Sequence, residues 1–429
     1  MRGHLLTSYL VVGAILTACS GSGADAVQTP PATAVPTAPV APVPADAGAP
    51  FSRPTPGFPV LKSLGGNVMA SPVLVGLHQE DDPYRSELDA FVGMLPTSAW
   101  WQSFAPDYGL STPVASVLDF ALMSAGTYSF DDVRSFMDGL QSAPGSAFPL
   151  PNNNTVYMLW TPDGVVISDA PSNQKGCKSF YAIHFPWHKD GGADTVAVVP
   201  RCAWSDLDAG WTPLDHLSKH MSHEIAEAVS DPGYAFTDGG FASSAYVFRG
   251  SNTLPPWQQS IYSFSPTGGE IGDLCEASYI RERGYLLQRV WSTTAAAAAG
   301  DPCVPARSEP YINVAAAQDW YSAVPGERVL IPLTGWATGT TASWSVNPHP
   351  HYYPTARQLT ATFTSDAGTD AAGKYLLNNG TTGTLELLIP ATAQSGDVAI
   401  IDVHSFYYAW LWDPSFDTFH SQLVGVYIP

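Results

Sequence analysis

His216, His220, His223 and Glu227 follow one another at spacings of four, three and four residues. On an α-helix of 3.6 residues per turn they share one face, while Leu214, Leu217, Met221, Ile225 and Ala228 take the opposite one. An imidazole and a carboxylate four residues apart can grip a single cation, which makes His223 and Glu227 candidate metal ligands. Glu224, directly after the first ligand, leans over the ion's open position as a general base. Carboxylate oxygen and imidazole nitrogen bind Zn2+ at about the same distance, ~2.0–2.2 Å, so a His/Glu pair keeps the geometry of a His/His pair. The anionic ligand withdraws less charge and raises the pKa of bound water above the ~7 of a three-histidine site.

A helix must position this stripe, and its ends are legible. Thr212 is a natural N-cap, Pro213 falls where a missing N–H costs nothing, and Asp215 stands three residues after the cap. Asp231-Pro232-Gly233 stops the run, because the residue before a proline leaves the α region and proline cannot continue the ladder.

His223-Glu224-Ile225-Ala226-Glu227 resembles the zincin metallopeptidase helix H-E-x-x-H with glutamate in place of the second histidine. Together with the downstream Gly269-Glu270-Ile271-Gly272-Asp273-Leu274-Cys275-Glu276 and the Ser98-Ala99-Trp100-Trp101 stretch, it is similar to the Exordium-like (phosphate-induced protein) family and its bacterial relatives over residues 66 to 305. That resemblance implies an α+β zincin-like catalytic domain, and by analogy with zincins it makes Glu270 the third ligand, with Asp273 next and Asp231 as the remaining option. Whichever of Glu270 and Asp273 does not bind the ion would hold His223 from behind.

Composition sets the setting. The 429 residues are 45% hydrophobic and 13% charged, enough to bury more than one core. Eighteen basic against 38 acidic residues give a net charge of −20, which disfavours nucleic acid and anionic membrane surfaces as partners. Residues 1–18 read as a lipoprotein signal peptide, and Leu16-Thr17-Ala18-Cys19 resembles a bacterial lipobox whose Cys19 is lipidated. The apolar run from Leu10 to Leu16 is too short to span a bilayer, so the membrane is met only through the lipid anchor. An exported chain on the outer membrane or cell surface is the expectation. Residues 26–59 carry ten prolines, so 19–60 read as an extended tether.

With Cys19 set aside, four cysteines remain, an even number suited to an oxidising compartment. Three pairings are open; sequence proximity favours Cys177 with Cys202 and Cys275 with Cys303, and Cys275 as a metal ligand is the alternative.

Along residues 61–305, apolar runs predict strands at Val73–Leu77, Val156–Trp160, Phe180–Phe185 and Thr195–Val199, with helices at 81–94 and 131–140. His184 falls on one of those strands, either inside the core or facing the cleft. Residues 233–269, long and rich in Gly, Ser, Pro and aromatics, read as the cleft floor. From 306 to 429 short alternating strands recur between turns, which predicts an all-β immunoglobulin-like sandwich. The aromatic run Phe406 to Trp412 reads as inter-sheet packing, or a surface for glycans or a partner.

The zincin resemblance implies hydrolysis of a peptide or protein substrate. Zn2+ is held by His223, Glu227 and Glu270 or Asp273, Glu224 takes the proton from water, and His220 or His184 stabilises the oxyanion. The rival reading is a catalytically silent surface module that binds a wall polymer or protein partner.

Overall fold

The computed structural model describes residues 61, 63, 65–120, 123–143, 146–169, 174–188, 194–203, 211–232, 270–276, 278–298, 300–316, 320–353, 359–370, 373–406 and 420–429. The signal peptide, Cys19, the tether, the cleft-floor segment 233–269 and residues 407–412 of the aromatic run lie outside them.

The first elements in the chain are β1 (Val73–Gln79), α1 (Arg85–Met94), α2 (Ala99–Phe104), β2 (Val114–Phe120), β3 (Gly126–Ser129) and α3 (Phe130–Ser142). Next come β4 (Thr155–Trp160), β5 (Val165–Asp169), β6 (Gln174–Lys175), β7 (Ile183–Pro186), β8 (Thr195–Val199) and α4 (Pro213–Ser230). The order β2-β1-β4-β8-β7 forms a five-stranded sheet, parallel except for the edge strand β7, which runs antiparallel to β8. Its inner strands are buried on both faces, so β4 reads Val-Tyr-Met-Leu-Trp without alternation after Thr155. Against α4 stand β4, β7 and β8 on one side and, on another, β10 (Tyr285–Gln288), which pairs with β9 (Tyr279–Glu282). Then follow β11 (Val290–Trp291), α5 (Thr293–Ala297) and β12 (Cys303–Val304).

The Ser98–Trp101 stretch is core. Ser98 caps α2 by accepting from the Trp101 N–H at 3.0 Å, and Trp100, Trp101 and Phe104 pack edge to face.

Residues 312–427 supply β13 (Ile312–Ala316), β14 (Trp320–Ser322), β15 (Arg328–Ala337), β16 (Trp344–Tyr353), β17 (Thr360–Ser365), β18 (Tyr375–Leu377), β19 (Thr382–Leu388), β20 (Val398–Phe406) and β21 (His420–Tyr427). They form two sheets, β13-β15-β19-β17 and β14-β21-β20-β16-β18, and the alternate residues of both, Ile331, Leu385, Ile401 and Val424 among them, share one core.

The sequence expectation of an α+β zincin-like domain followed by an immunoglobulin-like sandwich is corrected here. The described residues are mostly β: twenty-one strands in six sheets against five α-helices and three short 3-10 turns. Several of these strands, β5, β6, β9, β11 and β12 among them, are two to five residues long, too short to show a period of two in the sequence. The resemblance that implies a zincin-like domain rests on one helix and two short motifs, which carry no information on how the strands around them pair.

Candidate metal centre

The helix carrying the stripe forms as its caps dictate. Thr212 Oγ1 accepts from the Asp215 N–H at 3.2 Å and the Asp215 carboxylate accepts from the Thr212 N–H at 2.8 Å, closing a capping box with Pro213 at its first position. Unlike a surface amphipathic helix, α4 is buried nearly all round, its polar stripe included, with only His223 and its first two residues short of full burial. Ser218 and Ser222, one turn apart, dock β10: Ser218 Oγ donates to the Leu286 carbonyl at 2.9 Å and Ser222 Oγ accepts from the Gln288 N–H at 2.9 Å.

Three segments converge on the stripe: α4, the edge strand β7 and the turn 270–273. His223 Nε2 lies 3.1 Å from Glu227 Oε2, 3.8 Å from Asp273 Oδ1 and 4.0 Å from Glu224 Oε1. His184 on β7 places Nδ1 3.0 Å from Glu224 Oε2 and 3.7 Å from Glu227 Oε2, and its Nε2 3.7 Å from Glu270 Oε1. The turn is tied down by its own backbone: the Asp273 N–H donates to Glu227 Oε1 at 3.2 Å and the Glu270 N–H to Asp273 Oδ2 at 3.0 Å. Gly272 is required for this approach, since a Cβ there would stand 2.6 Å from Glu227 Oε1 and 2.8 Å from His223 Nδ1.

Electrostatics follow from crowding carboxylates in a dry place. Burial pushes Glu270 up, and Glu227, Asp231, Asp273 and Glu224 push it further, well above the usual carboxylate range. Burial and Glu227 lift Asp273 to about 8. Burial acts against charge on His223 and His184, yet Glu227 and Glu224 outweigh it, lifting His223 to about 10 and raising His184 as well. Glu227 is held below its ordinary value despite burial, because both imidazoles face it.

His216 and His220 do not join this group. His220 stacks on Tyr181 with ring centroids 5.6 Å apart and has Lys219 Nζ 3.4 Å from its Nδ1, while His216 packs on Trp211. Burial and then Lys219 hold both imidazoles neutral, His216 at about 4 and His220 well below its ordinary value. His220 as a neutral ring keeps one N–H, but it stands on Tyr181 and beside Lys219 and belongs to neither donor group of the centre.

Sequence reading overlooked Gln288. Its side-chain nitrogen lies 2.8 Å from His223 Nδ1 and donates to the Gly272 carbonyl at 2.7 Å, so it orients the imidazole from behind. The signal was present in one buried amide closing the apolar run Tyr285-Leu286-Leu287. Trp100 Nε1 donates to the Gln288 carbonyl at 2.6 Å, which links the aromatic core to the same spot. Both disulfides form, Cys177–Cys202 and Cys275–Cys303, so Cys275 is not a free metal ligand. Two disulfides in so small a cysteine complement mark a chain of an oxidising, extracytoplasmic compartment.

The donor set suits a divalent cation. His184, Glu227 and Glu270 form one group whose ligand atoms lie within 4.8 Å of one another, and His223, Glu224 and Glu227 form another. Glu270 Oε1 is buried with no hydrogen-bond partner among the described residues, as an oxygen waiting for a cation would be. Imidazole with carboxylate is a donor mixture that zinc accepts.

No family model and no curated protein matches the chain. Among solved structures it is similar to domains 4 and 5 of the S-layer protein SbsC, at 12% identity over 28% of this chain and 53% of that one, with a TM-score of 0.18. A family 123 glycoside hydrolase from Clostridium perfringens matches at 6% identity over 28% of this chain and 27% of that one, TM-score 0.19. A PapD-like domain of human CEP192 matches at 13% over 27% and 82%, TM-score 0.18. This chain thus spans about half the length of the S-layer fragment, and likenesses this faint assign neither fold nor function.

Proposed function

We propose that this chain is an exported, metal-dependent hydrolase acting on peptide bonds, with zinc as its ion. One observation carries the reading: two imidazoles and four carboxylates from α4, β7 and the turn 270–273 meet in a site where Glu270 Oε1 has no hydrogen-bond partner among the described residues. His223 and Glu227 hold the ion, with Glu270 or Asp273 completing the set. When bound, the ion lowers the pKa of water and polarises the scissile carbonyl.

Glu224 acts as general base through the carboxylate that His184 steadies at 3.0 Å. That contact also fixes the ring of His184, leaving its Nε2 turned toward Glu270 at 3.7 Å. Gln288 locks the orientation of His223, and Gly272 lets the turn close onto both ligands. The lipobox at Cys19 makes the protein a bacterial lipoprotein held at the outer membrane or cell surface, and the motif resemblance to the Exordium-like family agrees with the metal-site residues.

The test is elemental analysis of the chain purified without chelator and given zinc, beside cleavage of a peptide library. A chain that takes up no metal and cleaves nothing sinks the hydrolase and leaves the silent surface module. Bound zinc that His223→Ala diminishes and Glu224→Gln retains supports it.

A further inference from the structure

Four carboxylates of the centre, Glu224, Glu227, Glu270 and Asp273, have imidazoles and backbone N–H groups as their described partners. One divalent ion balances two of them and leaves the other two in a dry site without a metal partner; a second ion can balance all four. The geometry divides in the same way. Donors of one tetrahedral ion, each ~2.0–2.1 Å from it, stand about 3.4 Å apart. The His223 Nε2–Glu227 Oε2 separation (3.1 Å) and the His184 Nε2–Glu270 Oε1 separation (3.7 Å), each using one nitrogen of its ring, bracket that value. Two donor sets of this kind exist among the described residues, and neither contains both imidazoles. Glu227 belongs to both, its Oε2 between His223 and His184 and its Oε1 accepting from the Asp273 N–H.

Resting on the metal-dependent reading above, we propose that the centre is dinuclear, with Glu227 as bridging carboxylate. One ion is held by His184, Glu227 and Glu270. Its neighbour is held by His223 and Glu227 with Asp273, whose Oδ1 lies 3.8 Å from His223 Nε2, and Glu224 is left as the base. Glu270 and Asp273 then cease to be rivals for one coordination place: each serves its own ion. His184, which the sequence alone placed as an oxyanion partner, becomes a ligand, and the buried Glu270 Oε1 that lacks a hydrogen-bond partner among the described residues acquires a cation. Paired ions about 3.5–4 Å apart suit a hydrolytic displacement, because they clamp the attacking and the leaving oxygen together.

The experiment is a Zn2+ titration of the metal-free full chain, read by calorimetry and elemental analysis. Wild type is expected to take up about two equivalents; Glu270→Gln and His184→Ala are each expected to keep about one, held by His223 and Glu227. One equivalent in wild type overturns the dinuclear centre and leaves the single-ion hydrolase standing. None overturns both. Two equivalents retained in Glu270→Gln and His184→Ala alike place the second ion elsewhere and overturn the proposal. Mn2+ loading reads wild type without any variant: a spin-coupled pair supports the bridge, and isolated Mn2+ spectra at full loading overturn it.

Discussion

His184 Nδ1 lies 3.0 Å from Glu224 Oε2, joining the edge strand β7 to the base position of α4 across 40 residues of chain. The contact puts a buried imidazole beside the residue proposed as general base, and it sets what each substitution should do.

Glu224→Gln keeps the shape and removes the base. Its expected effect is a loss of about 10²- to 10⁴-fold in any hydrolytic rate with zinc content unchanged. His223→Ala is expected to remove one equivalent of zinc, since too few donors then remain for that ion. Elemental analysis and a cleavage assay on both variants separate the two roles.

The metal-free chain should lose stability as pH rises. His223, raised from 6.5 to about 10, contributes stability that is fully present below the unfolded value and is lost as pH climbs through the folded one. Asp273, raised from 3.8 to about 8, keeps a proton in the folded state that the unfolded chain has already released, so stability falls across that interval as well. Glu227, held low, works the other way and matters only in acid. Thermal melts without metal should therefore give a lower Tm at about pH 9 than at about pH 6, and zinc should flatten the difference. A metal-free Tm that rises over this range contradicts the crowded-carboxylate account.

Gly272→Ala places a methyl group 2.6 Å from Glu227 Oε1 and 2.8 Å from His223 Nδ1. The turn must withdraw, at a cost of about 1–3 kcal/mol and with weakened zinc binding. Denaturant unfolding and zinc titration of the variant check this, and wild-type affinity would show that the turn does not close on the ligands.

The two disulfides should differ in their reach. Each closes a loop of similar length, with separations of 25 and 28 residues, and is worth about 3.5 kcal/mol in the chain-entropy model. Cys275 stands two residues after Asp273, whereas Cys177 and Cys202 pack with Tyr181 in a separate small cluster. Cys275→Ser with Cys303→Ser should therefore lower zinc affinity, and Cys177→Ser with Cys202→Ser should lower stability alone.

Cys19→Ala should release the protein from membrane fractions, because the acyl anchor is lost while the globular part is untouched. Persistence of the variant in salt-washed membranes contradicts the lipoprotein reading.

What the sequence determined by itself is local. The limits of α4 follow from Thr212, Pro213, Asp215 and the stop at Asp231-Pro232, because capping and proline sterics act within one turn. The His223–Glu227 pair follows from helical spacing, and the disulfide pairs match parity and proximity among four cysteines. Tertiary structure decided the rest. His216 and His220 share the angular face of His223 and Glu227, yet a rise of about 1.5 Å per residue carries His216 some 16 Å along the axis from Glu227, toward Trp211, with His220 against Tyr181. His184, Glu270, Gly272 and Gln288 reach the centre only because β7, the turn 270–273 and β10 pack on α4, and no periodicity records which strand lies beside which helix face. The balance of strand over helix escaped the sequence for a related reason: strands of two to five residues gain their identity from the partner they pair with, not from their own pattern.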